Sequence, residues 1–166
     1  MEIYHKIYKG GNGEIVEKKS RFIAEVHPVT SEEEAMEILE QTRKQYWDAR
    51  HHCWAYIIGR NPAAERMSDD GEPAGTAGKP ILEVIRGREL TNVLVIVTRY
   101  FGGIKLGAGG LVRAYSKSVL EAIEASEIIE VEYYDVYNIT FDYSDLKDIE
   151  REIRNSKLTI IQKDFG

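Results

Sequence analysis

The chain has 166 residues, of which 43% are hydrophobic and 30% charged, and this balance is typical of a folded globular protein rather than a disordered chain. The net charge is −6, and the single cysteine, Cys53, excludes an internal disulfide bond and favours a reducing compartment, so we expect a cytoplasmic protein. The longest apolar run, Val93 to Val97, has the length of a strand and is too short to cross a membrane.

The N-terminal part predicts three strands and a helix. Ile3 to Tyr8 and Glu14 to Lys18 flank a run of glycines, which predicts a hairpin. Arg21 to Val29 predicts a third strand. Ser31 and Glu34 form an S-x-x-E capping box, which predicts the start of a helix. The apolar stripe of that helix consists of Ala35, Ile38, Leu39, Thr42 and Tyr46.

The central part alternates strands, a loop and helices. His52 to Gly59 predicts a strand, and Asn61 to Gly78, which is rich in Gly, Pro and Asp, predicts a long loop. A helix is predicted from Pro80 to about Gly87. Val93 to Thr98 is a continuous apolar and β-branched run, which predicts a strand buried on both faces. The following helix, from about Ala108 to Ser126, buries a stripe of Leu111, Tyr115, Val119 and Ala122.

The C-terminal part predicts a small β-α-β unit. Glu132 to Phe141 and Lys157 to Lys163 are the predicted strands, and Ser144 caps the helix between them. The apolar face of this helix consists of Leu146, Ile149 and Ile153. Three elements are few for an independent core. We therefore expect two domains, 1–130 and 131–166, of which the second leans on the first, pairs with another chain or is truncated.

The segment from Arg99 to Lys117, RYFGGIKLGAGGLVRAYSK, is the strongest functional signal. No Asp or Glu occurs between Leu90 and Leu120, whereas the rest of the chain has 18 basic and 28 acidic residues. Glycines let backbone N–H groups converge on one point, and the start of a helix adds unsatisfied donors. The segment therefore predicts an anion-binding corner; the alternative is a strand-to-helix corner without a ligand. The candidate residues are Arg99, Lys105, Gly107, Gly109, Gly110, Arg113 and Lys117.

Two further features of this segment bear on the choice of ligand. A Walker A loop is excluded because Ala108 and Gly109 follow Gly107 where Lys and Ser or Thr are required, and the Rossmann spacing fails as well. Tyr100 and Phe101 are candidate stacking surfaces for bases. The pattern thus favours phosphate contacts without a known nucleotide signature.

The loop from Ser68 to Pro80, SDDGEPAGTAGKP, is the second candidate region. Its acidic residues are of the type that holds a hard cation, but the regular ligand spacing of an EF-hand is absent. We favour a shaped loop that lines a cleft, and we predict no metal and no cofactor. The candidate cleft-lining residues are Asp69, Asp70, Glu72, Thr76 and Lys79.

The run His51-His52-Cys53-Trp54 contains residue types found in metal sites and in nucleophilic catalysis. Adjacent side chains on a strand point to opposite faces, so His51 and Cys53 face away from His52. No second cysteine completes a tetrahedral site. A strand with a core cysteine is the favoured interpretation, and Cys53 as a nucleophile is the alternative.

Four stretches together resemble the IMPACT family, the YigZ-like proteins: KKSRFIA (Lys18 to Ala24), HHCWAY, SDDGEPAGTAGKP and RYFGGIKLGAGGLVRAYS. The resemblance covers roughly residues 1–130. It implies an α+β first domain similar to the ribosomal protein S5 domain 2 fold, as in elongation factor G domain IV, which is a two-layer sandwich with helices on one face of a sheet. The remaining residues look like the first half of a ferredoxin-like domain similar to elongation factor G domain V.

The resemblance also implies a connection with translation. The leading hypothesis is a non-enzymatic RNA- or ribosome-binding protein that contacts phosphates through the basic corner. One alternative is a metal-assisted phosphotransferase or hydrolase, with Asp69 or Asp70 holding a metal or acting as base. The other is a protein-interaction module with a partner in the translation machinery.

Overall fold

The computed structural model describes residues 3–166. The chain forms two compact units, and the first of them ends at Tyr133. The first unit contains eight strands and three helices. Its elements are β1 (Ile3–Lys9), β2 (Asn12–Glu17), β3 (Ser20–Pro28), α1 (Glu32–Gln45), β4 (His51–Ile58), β5 (Ala64–Ser68), α2 (Gly78–Gly87), β6 (Leu90–Thr91), β7 (Val93–Tyr100), α3 (Gly107–Glu124) and β8 (Glu127–Glu132).

The strands form two sheets. Five of them make an antiparallel sheet in the order β2-β3-β7-β4-β5, so the continuous apolar run of β7 occupies its centre. The other three form a smaller sheet in the order β6-β1-β8, in which β1 runs parallel to β6 and antiparallel to β8. The chain is therefore a mixed α+β protein, as predicted.

Helices cover both faces of the five-stranded sheet, which corrects the predicted two-layer arrangement. Val95 and Val97 face the core formed with α2 and α3, whereas Leu94 and Ile96 face the core formed with α1. A strand that is apolar on both faces requires a cover on each of them. Helix α1 supplies the second cover through the predicted stripe, of which Ala35, Leu39 and Thr42 are buried.

The start of α1 agrees with the predicted capping box. Ser31 Oγ accepts a hydrogen bond of 3.1 Å from Glu34 N. Glu34 Oε2 in turn accepts one of 3.0 Å from Thr30 N, one residue earlier than the standard box. Both ends of the motif are therefore hydrogen-bonded, and the first turn of α1 is fixed.

The predicted hairpin between the first two strands is wrong. Strand β1 pairs with β6 and β8 rather than with β2, because the glycine run crosses closely over β3. A Cβ at Gly10 would lie 1.8 Å from Val26 O, so only glycine fits at this crossing. The hairpin at this end of the sheet is instead β2–β3, which turns at Lys18 and Lys19.

Strand β5 lies inside the stretch that was predicted as a loop. It pairs antiparallel with β4 along the edge of the sheet, from Ile58 opposite Ala64 to Trp54 opposite Ser68. Its sequence, AERMS, has no apolar alternation, and its side chains are exposed up to Ser68. An edge strand of this kind gives no periodic signal in the sequence.

The second unit, Tyr134–Gly166, contains a 3₁₀ turn (Tyr143–Asp145) and helix α4 (Leu146–Arg154). The predicted strands over Glu132–Phe141 and Lys157–Lys163 are wrong, apart from Glu132 at the end of β8, because neither segment has a neighbouring strand to take its backbone hydrogen bonds among the described residues. Asp145 rather than Ser144 precedes α4, without a side-chain cap. No helix within residues 3–166 is long and apolar enough to cross a membrane.

Candidate anion-binding surface and its buried support

The two predicted motifs meet at a buried ion pair. Arg99, near the end of β7, donates hydrogen bonds of 2.8 and 2.9 Å from Nη1 to the two carboxylate oxygens of Glu72, in the loop before α2. The Arg99 side chain is 7% exposed and the Glu72 side chain 2%. Arg99 Nη2 lies 3.3 Å from Ser20 Oγ, at the start of β3. The pair thus joins the loop to the centre of the sheet.

Arg99 therefore does not belong to the anion-binding surface that the sequence predicted. Its position in β7 continues the row of Val95 and Val97, whose side chains point into the core beneath α2 and α3. A guanidinium that faces inward is buried, and Glu72 neutralises it. Glu72 likewise serves as the partner of Arg99 and does not line an open cleft.

His51 completes this cluster, a role that the sequence analysis did not predict. Its Nδ1 lies 2.8 Å from the backbone oxygen of Asp70 and its Nε2 lies 2.8 Å from Glu72 Oε1. Both neighbours are hydrogen-bond acceptors, so each ring nitrogen of His51 faces an oxygen. Arg99 and His51 contact the same carboxylate from β7 and β4. The strand register could have indicated it, because His51 lies directly opposite Arg99.

Asp69 shapes the loop between β5 and α2. Its Oδ1 accepts hydrogen bonds from Ala77 N and Gly78 N at 3.1 and 2.8 Å, and its Oδ2 accepts one from Gly75 N at 2.9 Å. A carboxylate that accepts from the first N–H groups of a helix caps it, here α2. The lone pairs of Asp69 are thus used within the loop.

The other predicted cleft-lining residues have mostly internal partners. Asp70 Oδ2 accepts a hydrogen bond of 2.7 Å from His52 N, and Thr76 Oγ1 donates one of 2.6 Å to Pro73 O. Lys79 is exposed on α2, 4.0 Å from Glu83. Within residues 3–166 no group of three or more His, Cys, Asp or Glu side chains is arranged to hold a metal ion.

Cys53 is a core residue, as favoured from the sequence. It is fully buried, and its Sγ lies 3.0 Å from Asp69 O and 3.3 Å from Tyr115 Oη. Burial raises the pKa of the thiol far above its ordinary value. A neutral, enclosed thiol does not act as a nucleophile, and this argues against the catalytic alternative.

The remaining basic residues of the predicted corner surround the start of α3. Lys105, Gly107 and Gly109 are exposed, and Leu106 at the N-cap supplies no side-chain acceptor to the first-turn N–H groups. The Arg113 side chain folds back toward this turn: its Nη1 would lie 3.2 Å from a Cβ built at Gly109. The Arg113 guanidinium therefore lies beside uncapped backbone donors, and Lys105 precedes them in the chain by two residues.

Lys117 and Gly110 contribute less to this surface. Lys117, one turn further along α3, lies 3.8 Å from Glu17, which partly balances its charge. Gly110 is half-buried, and a Cβ there would lie 3.1 Å from the side chain of Leu106. Among the described residues of this surface, the exposed cations that no carboxylate pairs with are thus Lys105 and Arg113.

Of the two candidate stacking residues, Phe101 is exposed and Tyr100 is half-buried. Tyr100 donates a hydrogen bond of 2.8 Å to Asp48, and Arg21 lies over its ring at 5.5 Å from the centroid. Phe101 is 41% exposed, although Arg50 and Arg99 lie 5.7 and 5.6 Å from its ring centroid. The Tyr100 ring is therefore used within the fold.

Comparison with known proteins identifies relatives over most of the chain. The Impact N-terminal domain matches residues 18–123. The chain is 46% identical over 160 residues to the IMPACT family member YvyE of Bacillus subtilis, which covers 96% of this chain and 74% of that protein. It is 38% identical over 150 residues to the IMPACT family member YigZ of Escherichia coli, with coverages of 89% and 74%.

Two solved structures have a similar fold. The crystal structure of a hypothetical protein matches with a TM-score of 0.76 at 35% identity, over 100% of this chain and 82% of that one. The two-domain translational regulator Yih1 matches with a TM-score of 0.50 at 28% identity, over 72% of this chain and 48% of that one.

Proposed function

This chain belongs to the IMPACT family, and we propose that it is a non-enzymatic RNA- or ribosome-binding protein that acts in the regulation of translation. The translational role is supported by the likeness to Yih1, which is described as a translational regulator. The RNA contact is supported by the exposed positive charge of Lys105 and Arg113 at the start of α3, in a stretch of sequence without acidic residues.

The chemistry of this surface suits a phosphate backbone. Lysine and arginine side chains neutralise phosphates, and backbone N–H groups at a helix start donate to phosphate oxygens. Glu72, in the loop before α2, is buried and paired with Arg99, so its charge is balanced inside the protein. Contacts of this kind give binding that depends on salt and not on base sequence.

Gly109 supports a close approach of the ligand to the backbone. It lies inside α3, where glycine costs about 1 kcal/mol of stability relative to alanine. A Cβ at Gly109 would meet only the flexible end of Arg113, so packing does not require glycine at this position. A bare backbone at an exposed first turn gives a phosphate access to the N–H groups.

The charge-reversal variant Lys105→Glu/Arg113→Glu tests this proposal. We expect it to lose co-sedimentation with ribosomes and to bind a fluorescein-labelled RNA about tenfold or more weakly in low salt, because two phosphate contacts become repulsive. The matched control is Lys9→Glu/Lys44→Glu, which changes the net charge equally at two other exposed lysines. Equal RNA binding by both folded variants would refute the proposal. A protein partner that stays bound after nuclease treatment would instead favour a protein-interaction module.

A further inference from the structure

We propose that the RNA-binding surface extends over the tip of the β2–β3 hairpin, where Lys18 and Lys19 contact phosphates of the same RNA that Lys105 and Arg113 bind. This inference rests on the function proposed above and adds two binding residues from a different element of the fold. We call these two residues the hairpin lysines.

The hairpin lysines lie directly against the start of the glycine loop. A Cβ at Gly102 would lie 2.1 Å from the carbonyl carbon of Lys19, so the two backbones are in van der Waals contact. Gly102 N also donates a hydrogen bond of 3.1 Å to Ser20 Oγ. The loop that carries Lys105 therefore leaves the sheet from the same point at which the hairpin turns.

The charge of the hairpin lysines is available to a ligand. Both side chains are exposed, and neither forms an ion pair with another residue in the range 3–166. The adjacent acid, Glu17, lies 3.8 Å from Lys117 on α3, which joins the hairpin to the helix and partly balances Glu17. Glu14, the other acid of β2, is paired with Arg21 at 2.7 Å. Lys18 and Lys19 therefore add positive charge beside two acids that each have a cationic partner.

The backbone conformation of the turn does not favour lysine, and this is a second, independent argument for a role of the two side chains. Lys18 and Lys19 have φ values of 44° and 64°, the left-handed conformation of a two-residue hairpin turn. Asn-Gly is strongly preferred in this conformation, and a side chain with a Cβ is disfavoured there. Two consecutive lysines are therefore a poor choice for the turn itself, and a good choice for a contact made by their side chains.

The distribution of the charge indicates the class of ligand. The four cations come from a hairpin, a loop and a helix, and all of them are exposed on the surface rather than enclosed in a pocket. The cavity lined by Gly59, Pro62 and Thr91 contains none of them. The phosphates of a mononucleotide lie close together, whereas the phosphates of an RNA backbone are spaced at regular intervals. An RNA can therefore contact cations on separate elements of the protein at the same time. The surface therefore fits a polyanion.

The variant Lys18→Asn/Lys19→Gly tests the extension without threatening the fold. The variant places Asn-Gly, the preferred pair, in the turn, so we expect the melting temperature to remain unchanged or to rise. It also removes two charges, so we expect weaker binding to a fluorescein-labelled structured RNA, and a plot of log affinity against log salt that is less steep by about 0.7–0.9 for each lysine. The comparison variants are Lys105→Gln/Arg113→Gln and, as the charge-matched control, Lys9→Gln/Lys44→Gln.

The outcomes separate the extension from the proposed function. If Lys105→Gln/Arg113→Gln lowers the affinity and the salt slope while the hairpin variant changes neither relative to the control, the extension is wrong and the proposed function stands. If neither variant differs from the control, both are wrong. A weaker affinity of the hairpin variant at unchanged salt slope also overturns the extension, because the lysines then do not contact phosphates.

Discussion

Arg99 and Glu72 lie on two different motifs, and the guanidinium of one donates hydrogen bonds of 2.8 and 2.9 Å to the carboxylate of the other. The pair is buried, and His51 contacts the same carboxylate at 2.8 Å. The contacts of Glu72 with Arg99 and His51 therefore hold the loop before α2 against the sheet. Arg99 also lies 3.3 Å from Ser20 Oγ, which accepts a hydrogen bond from Gly102 N at the start of the glycine loop. Arg99 is thus a buried residue that holds the glycine loop and does not itself contact the proposed ligand.

We expect Glu72→Ala to lower the free energy of unfolding by about 3–5 kcal/mol, because it leaves the Arg99 guanidinium buried without a partner. Urea denaturation followed by the fluorescence of Trp54, which is buried in the sheet, measures this change. The control is Glu14→Ala, which breaks the exposed pair with Arg21 and costs about 0.2–1 kcal/mol. Equal costs for the two variants would contradict the role assigned to Glu72.

The double variant Glu72→Ala/Arg99→Ala sharpens this prediction. Removing both partners takes away the unpaired charge, so the double variant is expected to cost less than the sum of the two single variants. A cost equal to the sum would show that the two side chains stabilise the fold independently.

Asp69→Ala is expected to lower the free energy of unfolding by about 1–2 kcal/mol, because the N-terminal N–H groups of α2 lose their acceptor. Asp69→Asn keeps one carbonyl oxygen and is expected to fall between Asp69→Ala and the native chain. Thermal melting with and without Mg²⁺ distinguishes a cap from a metal ligand. A Mg²⁺-dependent rise in the melting temperature that Asp69→Ala abolishes would restore the metal-assisted alternative.

The strongly periodic elements could be predicted from the sequence, and the long-range contacts could not. The stripe of α1 and the continuous run of β7 gave the correct elements because burial determines which residues are apolar. The exposed edge strand β5 carries no such signal. The pairing of β1 with β8 joins residues far apart in the chain, and no local pattern encodes it.

The same limit applies to the candidate site. The absence of acids between Leu90 and Leu120 was visible in the sequence and led to Lys105 and Arg113, which are exposed as required. The sequence did not separate Arg99 from them, because its inward orientation depends on the register of β7. The hairpin lysines were part of a recognised motif, but their contact with Gly102 arises only in the folded chain.

We expect the stability of the protein to fall in alkaline solution. Burial raises the pKa of both the Cys53 thiol and the Tyr115 phenol, so the folded chain holds these protons at a pH where the unfolded chain releases them. Their contribution is complete below the ordinary pKa values, about 8.5 for cysteine and about 10 for tyrosine, and is lost progressively above them. The free energy of unfolding, measured by urea titration at several pH values, should decline accordingly.

Tyr115→Phe isolates the tyrosine part of this decline. The variant is expected to make the fall above about pH 10 shallower, by up to about 1.4 kcal/mol for each pH unit, since one fewer proton is released on unfolding. Tyr8→Phe is the control, because the Tyr8 side chain is 68% exposed. The same alkaline slope in the Tyr115→Phe variant and the native chain would contradict the assignment.

The two glycines Gly102 and Gly109 are expected to respond to alanine with opposite signs. A Cβ at Gly102 would lie 2.1 Å from the Lys19 backbone, so Gly102→Ala forces the loop and the hairpin apart and destabilises the protein. A Cβ at Gly109 meets only the Arg113 side chain, so Gly109→Ala should stabilise α3 by about 0.5–1 kcal/mol. Thermal melting measures both changes. If a phosphate approaches the first turn of α3, the more stable Gly109→Ala variant binds RNA less tightly than the native chain; unchanged RNA affinity in that variant would mean that the phosphate contacts are made by side chains alone.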